Sequence, residues 1–289
     1  MRQTRGQRIF GVFNIIFMIL LCMVIVYPIL NLFAQSVSDD LYLLRGDVTF
    51  YPMGFSLDAY AKFFNSAYVL RAFWNSVFVA GVGCLASLTV TLLAAYPIAF
   101  GRFSGKKLYT VIVFFPMWFV AGMIPEYLVV QKMGLLNSFA SLILVVLVAP
   151  YHVIILSTFL KSIPLSLHES ARIDGANELT ILFKIVLPLA KAALATVALW
   201  VIVGHWNDYF KPLMYLTDFE KYTFQLALKD IVLSADAAGM YGIGGLEGYG
   251  LSLRLKSAML IFSMLPMLIL YPFLQKYFVK GVMIDSIKG

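Results

Sequence analysis

The residues best equipped for chemistry crowd into one stretch. It reads Ser166-Leu-His-Glu-Ser-Ala-Arg-Ile-Asp-Gly-Ala-Asn-Glu178 and lies between two long apolar segments. Its spacing favours a short surface helix, docked by another protein or lying at the lipid interface, over bond-breaking. Ser166 and Glu169 have capping-box spacing, so the hydroxyl can accept from the amide three residues on while the carboxylate reaches back. Pro164 cannot continue the preceding helix. Gly175 can take positive φ and stop a short helix, and Asn177 can cap a second one. The pattern predicts helix, glycine turn and helix on the surface of a membrane protein. Elsewhere the groups fall short of catalysis. His152, His168 and His205 lack metal-ligand spacing, no nucleophile stands with a base, and Cys22 and Cys84 lie in apolar runs. The nearest approach to a phosphate loop is Gly101-Arg-Phe-Ser-Gly-Lys-Lys107. It has one residue too few between its glycines and Lys where Ser or Thr is needed. The expectation is therefore no catalytic residue, no metal site and no cofactor in this chain.

The elements around that stretch are membrane spans. Of 289 residues, 61% are apolar and 13% charged, where soluble domains carry about 25% charged residues. This composition predicts an all-α membrane protein, a single transmembrane domain over 1–289. Six spans are expected, at about 9–33, 72–100, 108–130, 139–160, 189–209 and 257–278. A polar loop at 161–188 and a long loop at 211–256 would lie on opposite sides. Arg2, Arg5 and Arg8 precede the first run, which is too long for a signal peptide and reads as a retained span. Gly81, Gly83, Ala86 and Ser87 in the second would let neighbouring helices approach closely. Pro116, Pro125 and Pro150 fall inside the third and fourth, as hinges or as static kinks packed against neighbours. Most of the 22 Lys and Arg fall on the face shared by the two termini and by 161–188. That face is therefore read as cytoplasmic, and the net charge of +7 as a topological signal, not a sign of nucleic acid.

Glu169-Ser-Ala-Arg-Ile-Asp-Gly-Ala176, followed by Phe183-Lys-Ile-Val-Leu-Pro188, resembles the EAA motif of ABC importer membrane subunits. Glu169, Ala171, Asp174, Gly175, Ala176, Ile185, Leu187 and Pro188 match it. Ser170 stands where a middle Ala is usual. Ala192 stands where a second Pro is common, which predicts a straighter start to the fifth span. Trp206-Asn-Asp-Tyr-Phe, Ile124-Pro125 with Gly134-Leu-Leu-Asn137, and Tyr277-Phe-Val-Lys-Gly281 are similar to the carbohydrate-importer branch. The whole chain resembles the smaller maltose-type permease subunit, most closely the oligosaccharide and alginate importers.

The resemblance implies a type I ABC importer transmembrane domain in a bacterial cytoplasmic (inner) membrane, with both termini in the cytoplasm. The cargo would be oligosaccharides, including acidic, alginate-like ones. The partners would be a second, larger permease subunit, two ATPase subunits that bind ATP and Mg, and an extracytoplasmic solute-binding protein. Glu169, Ser170, Ala171, Asp174, Gly175, Ala176, Leu187 and Pro188 would couple the spans to the ATPase. The loop carrying Gly242, Gly244, Gly245 and Gly248 would enter the binding protein's sugar site as a scoop. Trp118, Trp206, Asn207 and Tyr209 are groups that stack on and hydrogen-bond to sugars, and are expected in the substrate path. Such aromatics equally suit a membrane interface. A charge at Glu126, if within the membrane, needs a paired or water-lined site. The alternative is a secondary transporter driven by an ion gradient, which needs carboxylates deep in the spans. Only Glu126 and Asp208 are candidates. A helix-turn-helix DNA reader is excluded, since Leu179–Leu187 is apolar and runs into a span.

Overall fold

The structure is a computed structural model and describes residues 5–241 and 253–272. Every regular element among them is a helix. The order is α1 (Arg5–Ser36), α2 (Asp40–Arg45), α3 (Asp58–Asn65), α4 (Ala67–Phe100), α5 (Lys106–Phe114), α6 (Met123–Lys132) and α7 (Phe139–Leu144). There follow α8 (Pro150–Lys161), α9 (Leu165–Ile173), α10 (Glu178–Leu189), α11 (Lys191–Asn207), α12 (Phe210–Tyr215), α13 (Phe224–Tyr241) and α14 (Leu253–Pro272).

Three helices are long and apolar enough to cross a membrane: α1, α4 and α14. A fourth crossing arises if α10 and α11, bent by 80° at Ala190, count as one broken span. Among the described residues these three or four candidates stand where hydropathy expects six continuous spans, and the breaks fall at proline and glycine. The third expected span, 108–130, is broken. α5 ends in a tight 3-10 turn, Phe115–Met117, with Pro116 at its start, and α6 begins only after Gly122 at φ +84°. The fourth, 139–160, is broken between α7 and α8, where Pro150 opens the new helix. Each of these prolines, Pro125 included, lies in the first turn of a short segment, where its missing N–H leaves no helical carbonyl unmet. They divide the backbone; they do not bend a continuous helix. The 80° bend also reverses the expectation from Ala192 of a straighter fifth span.

The chain forms two compact units, Met1–Leu70 with Ala227–Leu265, and Arg71–Leu226 with Pro266–Gly289. In the first, α1 is exposed along most of its length and carries an apolar groove of about 680 Å³ beside Met18, Cys22 and Val26. Its C-terminal end is fastened by polar contacts. Ser36 Oγ lies 2.8 Å from Tyr60 Oη, and Ser257 donates to Gln35 Oε1 at 3.0 Å. The Arg254 guanidinium donates to Ser56 Oγ at 2.7 Å and to Asp40 Oδ2 at 3.2 Å, and lies 3.9 Å from Asp58. In the second unit the principal core joins α4 (Leu92, Ala95, Ile98, Phe100), α8 (Val153, Leu156, Leu160) and the segment leading into α11.

Candidate functional site

The polar stretch folds as its residue types dictate. α9 ends in Ile173, and Gly175 takes φ +80°. The N–H of Gly175 donates to the carbonyl of Arg172 at 3.0 Å, and that of Ala176 to Ala171 at 2.9 Å. This pair of bonds is the Schellman closure of a helix, and it needs the left-handed backbone that glycine adopts without strain. Asn177 then caps α10, its Oδ1 accepting from the Thr180 N–H at 2.8 Å. The expected capping box at the other end does not form. Pro164 occupies the N-cap position of α9, with no side-chain cap. Glu169 instead faces Arg102 at 3.3 Å, both side chains more than half exposed. A guanidinium within reach competes for the carboxylate, and so exposed a pair is worth at most about 1 kcal/mol.

α10 widens into a π turn over Leu182–Val186, where Leu187 N–H reaches back to Leu182. Pro188 has no N–H for the carbonyl four residues earlier, which accounts for the widened ladder beside it. The chain then bends sharply into α11. Ile181, Leu182, Val186 and Ala190 are buried against the ends of α4 and α8. Full burial of such a side chain contributes about 1.5–3 kcal/mol, so this junction is stiff.

α9 is seated by a polar hub that single-segment reasoning does not find. Only His168 and Ala171 of α9 are buried. Tyr96, from the end of α4, donates its hydroxyl proton to Glu178 Oε2 at 2.6 Å, and His168 Nε2 lies 2.8 Å from the same hydroxyl. A tyrosine has one proton to give, so His168 is the donor through Nε2–H and its Nδ1 is bare. That Nδ1 is buried and has no hydrogen-bond partner, which fits a neutral ring. Burial pushes the His168 pKa below its ordinary value. Phe100 stacks on the same ring at 4.2 Å. Arg172 closes the hub, donating to Glu178 Oε1 through Nε at 2.9 Å and also through Nη2. The Tyr96 hydrogen bond, ahead of the Arg172 contacts, holds the Glu178 carboxyl below its usual range. Tyr96 and His168 are 72 residues apart, and no local pattern links them.

The motif residues divide by exposure. Ala171 is buried, Ala176 and Leu187 are partly buried, and Glu169, Ser170, Asp174, Gly175 and Pro188 are exposed. Beside them two large apolar side chains face outward, Ile173 at 86% exposed and Leu179 at 62%. The arrangement is a rigid, capped surface helix whose inner face is seated on a span and whose outer face is free. It has the parts of a lever and no group positioned to make or break a bond.

The four expected path residues are placed unevenly. Trp206 is 3% exposed and packs against Phe73 and Phe224, so its ring serves the core. Trp118 is exposed in the break before α6. Asn207 donates to the Val203 carbonyl at 3.0 Å, and Tyr209 is half exposed beside Phe210. Both candidate carboxylates are engaged. Glu126 accepts from Tyr215 Oη at 2.6 Å, and Asp208 pairs with Lys211 at 3.3 Å. Gly242, Gly244, Gly245 and Gly248 lie outside the described residues, as does the segment beyond residue 272.

Comparison with known proteins gives a consistent picture. The family model for the binding-protein-dependent transport system inner membrane component matches residues 86–284. Protein LplC of Bacillus subtilis (strain 168) is 37% identical over 289 residues, 100% of this chain and 98% of that protein. The polygalacturonan/rhamnogalacturonan transport system permease protein YtcP of the same organism is 36% identical over 286 residues, covering 98% of this chain and 99% of that one. Among solved structures, a chain of a bacterial ABC transporter involved in the import of the acidic polysaccharide alginate superposes with a TM-score of 0.88. It is 31% identical, with 96% of this chain and 99% of that one covered. A bacterial alginate ABC transporter in complex with alginate pentasaccharide-bound periplasmic protein shares the fold, at a TM-score of 0.60 and 16% identity, over 92% of this chain and 93% of that one. The family description and the name of YtcP are those of a transport system's membrane component and permease, not of an enzyme.

Proposed function

The chain belongs to the family of binding-protein-dependent transport system inner membrane components, and we propose that it is the smaller permease subunit of an ATP-driven importer of acidic oligosaccharides. One observation carries the mechanism. α9 is closed at Gly175, seated on α4 through Tyr96 and His168, and continued into a span through the bend at Ala190, so a push on its outer face is delivered to the helices. Glu169, Ser170, Asp174, Ile173 and Leu179 form the face that an ATPase subunit grips. Closure of two such subunits on ATP and Mg moves α9, the spans tilt between inward- and outward-facing, and hydrolysis resets them. The ATP site belongs to those partners. A second, larger permease completes the path, and an extracytoplasmic binding protein delivers cargo, with the glycine-rich 239–250 stretch acting on its sugar site. The membrane is the bacterial cytoplasmic membrane, with both termini in the cytoplasm.

The cargo class is supported by two relatives whose names specify acidic polysaccharides, polygalacturonan/rhamnogalacturonan and alginate. A carrier driven by an ion gradient is the weaker reading, because Glu126 and Asp208 are both occupied by protein donors.

The test is ATPase activity of the complex purified with its partner subunits, with and without binding protein and short oligouronides. Stimulation by the acidic sugars supports the reading. In Glu169→Ala the yield of ATPase subunits or the stimulation should fall, while the fold stays within about 1 kcal/mol of wild type. A complex that contains no ATPase subunit, with uptake following an imposed ion gradient, would overturn the reading.

A further inference from the structure

A cavity of about 170 Å³ opens in the second unit where the fourth expected span is broken. Its wall includes Ala149 from the break, His152 from α8, Trp200 and His205 from α11, Asp208 from the turn that follows and Lys211 from α12. Non-helical backbone at membrane depth persists only where it is buried in protein or lines a wet cavity, and the break at 145–149 borders this one.

The polar groups here are unequally spent. Asp208 Oδ1 accepts from the backbone N–H groups of Phe210 and Lys211 at 3.0 and 3.1 Å, and Oδ2 lies 3.3 Å from Lys211 Nζ. The carboxylate is occupied. The Lys211 ammonium has three N–H groups and uses one of them. His152 and His205 make no hydrogen bond within the described residues, and His152 Nδ1 is buried without a partner. Both rings are nevertheless held in place. His152 stacks on Trp200 at 5.8 Å and 19°. His205 presses its Nε2 edge against the bare backbone of Gly83, where an added Cβ would come within 2.5 Å. No trio of His, Cys, Asp and Glu among the described residues is placed to hold a metal ion. The wall thus offers an ammonium with N–H groups to spare and two fixed imidazoles, next to an indole, while Lys211 and Asp208 together carry no net charge.

We propose that this cavity is a binding subsite for one uronate ring of an acidic oligosaccharide, with Lys211 and His205 meeting the ring carboxylate and His152 meeting a ring hydroxyl. The subsite rests on the importer reading above and assigns the recognition of acidic cargo to this subunit.

The test uses the whole complex in proteoliposomes with its binding protein. The probes are a short oligogalacturonide and a short oligoalginate, each beside its carboxyl-reduced, neutral counterpart. Loss of a hydrogen bond to a charged group corresponds to about tenfold in affinity or more. Lys211→Gln and His205→Gln should raise the KM for the acidic sugars about tenfold, with kcat and the neutral counterparts little changed. Gly83→Ala displaces the His205 ring and should reproduce the His205→Gln profile. Wild-type KM in all three variants, or equal losses on acidic and neutral sugars, would overturn the subsite and leave the importer standing. Wild-type complex that takes up no sugar on ATP would overturn the importer reading, and the subsite with it.

Discussion

Two polar knots fasten short segments to helix ends in this molecule, and they are made of opposite materials. In the first unit the centre is a cation. The Arg254 side chain is 5% exposed and stands between Asp40 and Asp58. Its Nε approaches Asp40 Oδ1 to 3.2 Å without hydrogen-bond alignment, so that contact is electrostatic. In the second unit the centre is neutral, the Tyr96 hydroxyl against the His168 ring, and the charges sit at the rim. Arg172 and Glu178 are each about half exposed, as Arg102 and Glu169 are. A buried charge that loses its partner is uncompensated, and the cost is large. Neutral groups with charges at the rim separate at lower cost. The first knot is built to stay closed. The second, with its charges half exposed, costs less to open, as the proposed coupling role requires.

The largest effect that separates them is expected from Arg254→Met, which removes the buried cation between Asp40 and Asp58 and leaves only Lys62 acting on Asp40. It should destabilise the protein by about 3 kcal/mol, the lower end for a broken buried pair because Asp58 is largely exposed. Thermal unfolding of the purified complex measures it, and surviving molecules should still couple ATP to uptake. A loss under 1 kcal/mol would make this knot another surface ion pair and erase the contrast.

Tyr96→Phe comes next. It strips the acceptor from His168 and the donor from Glu178, costing about 1–3 kcal/mol for polar groups left unsatisfied. Its signature is the reverse of Arg254→Met: cargo-stimulated ATPase and uptake should fall more than the melting temperature. If both variants reduce stability and coupling in the same proportion, the two knots do one job and the lever assignment fails.

What the sequence could and could not disclose follows the range of the forces involved. The Gly175 closure and the Asn177 cap are bonds between residues three to five apart, so residue type and spacing reveal them. Pro188 marks the bend because its defect is local. The hub does not show, because Tyr96 sits in an apolar run and meets a partner 72 residues away. The capping box fails because the helix starts at Leu165, which puts Ser166 inside it and leaves Glu169 to meet an arginine 67 residues distant. Hydropathy reads 108–130 and 139–160 as spans because it measures composition, and backbone breaks at Gly122 and Pro150 leave composition unchanged. Trp206 was expected in a path because an aromatic ring serves a core and a sugar equally well. The cavity holding His152, His205, Asp208 and Lys211 is assembled from α8, α11, the turn after it and α12, and those histidines lack any telling spacing.

Gly175→Val probes how stiff the lever is. Nothing lies within 4 Å of a Cβ added there, so the cost is purely that of a left-handed backbone, about 1–2 kcal/mol. Coupling efficiency, measured as sugar imported per ATP hydrolysed, should drop while the Arg254 knot is untouched. Gly175→Asn, which tolerates the conformation better, should recover much of it. Equal behaviour of Val and Asn would mean that the turn is not held left-handed in the working complex.

The smallest expected effect is on pH, and it tests whether the hub is neutral. The folded His168 has a pKa below its ordinary 6.5 because it is buried. On acidification the unfolded chain therefore takes up a proton near pH 6.5 before the folded one does. Stability is full above that value and is lost as pH falls from 6.5 toward the folded pKa. Glu178 acts in the same direction but lower. Its carboxyl is held below the ordinary 4.5, first by Tyr96, so its contribution is full above 4.5 and disappears as pH falls through the folded value. Protonating the His168 ring would also place a cation beside Arg172, against the attraction of Glu178. Coupling should thus decline below pH 6.5, as the pH approaches the lowered pKa of the folded His168. His168→Gln keeps a donor for Tyr96 but cannot titrate, so it should flatten that decline. The Arg254 knot contains no histidine and should show no change across the same window. A variant that declines as wild type does would place the sensitive group elsewhere and remove the case for a neutral centre.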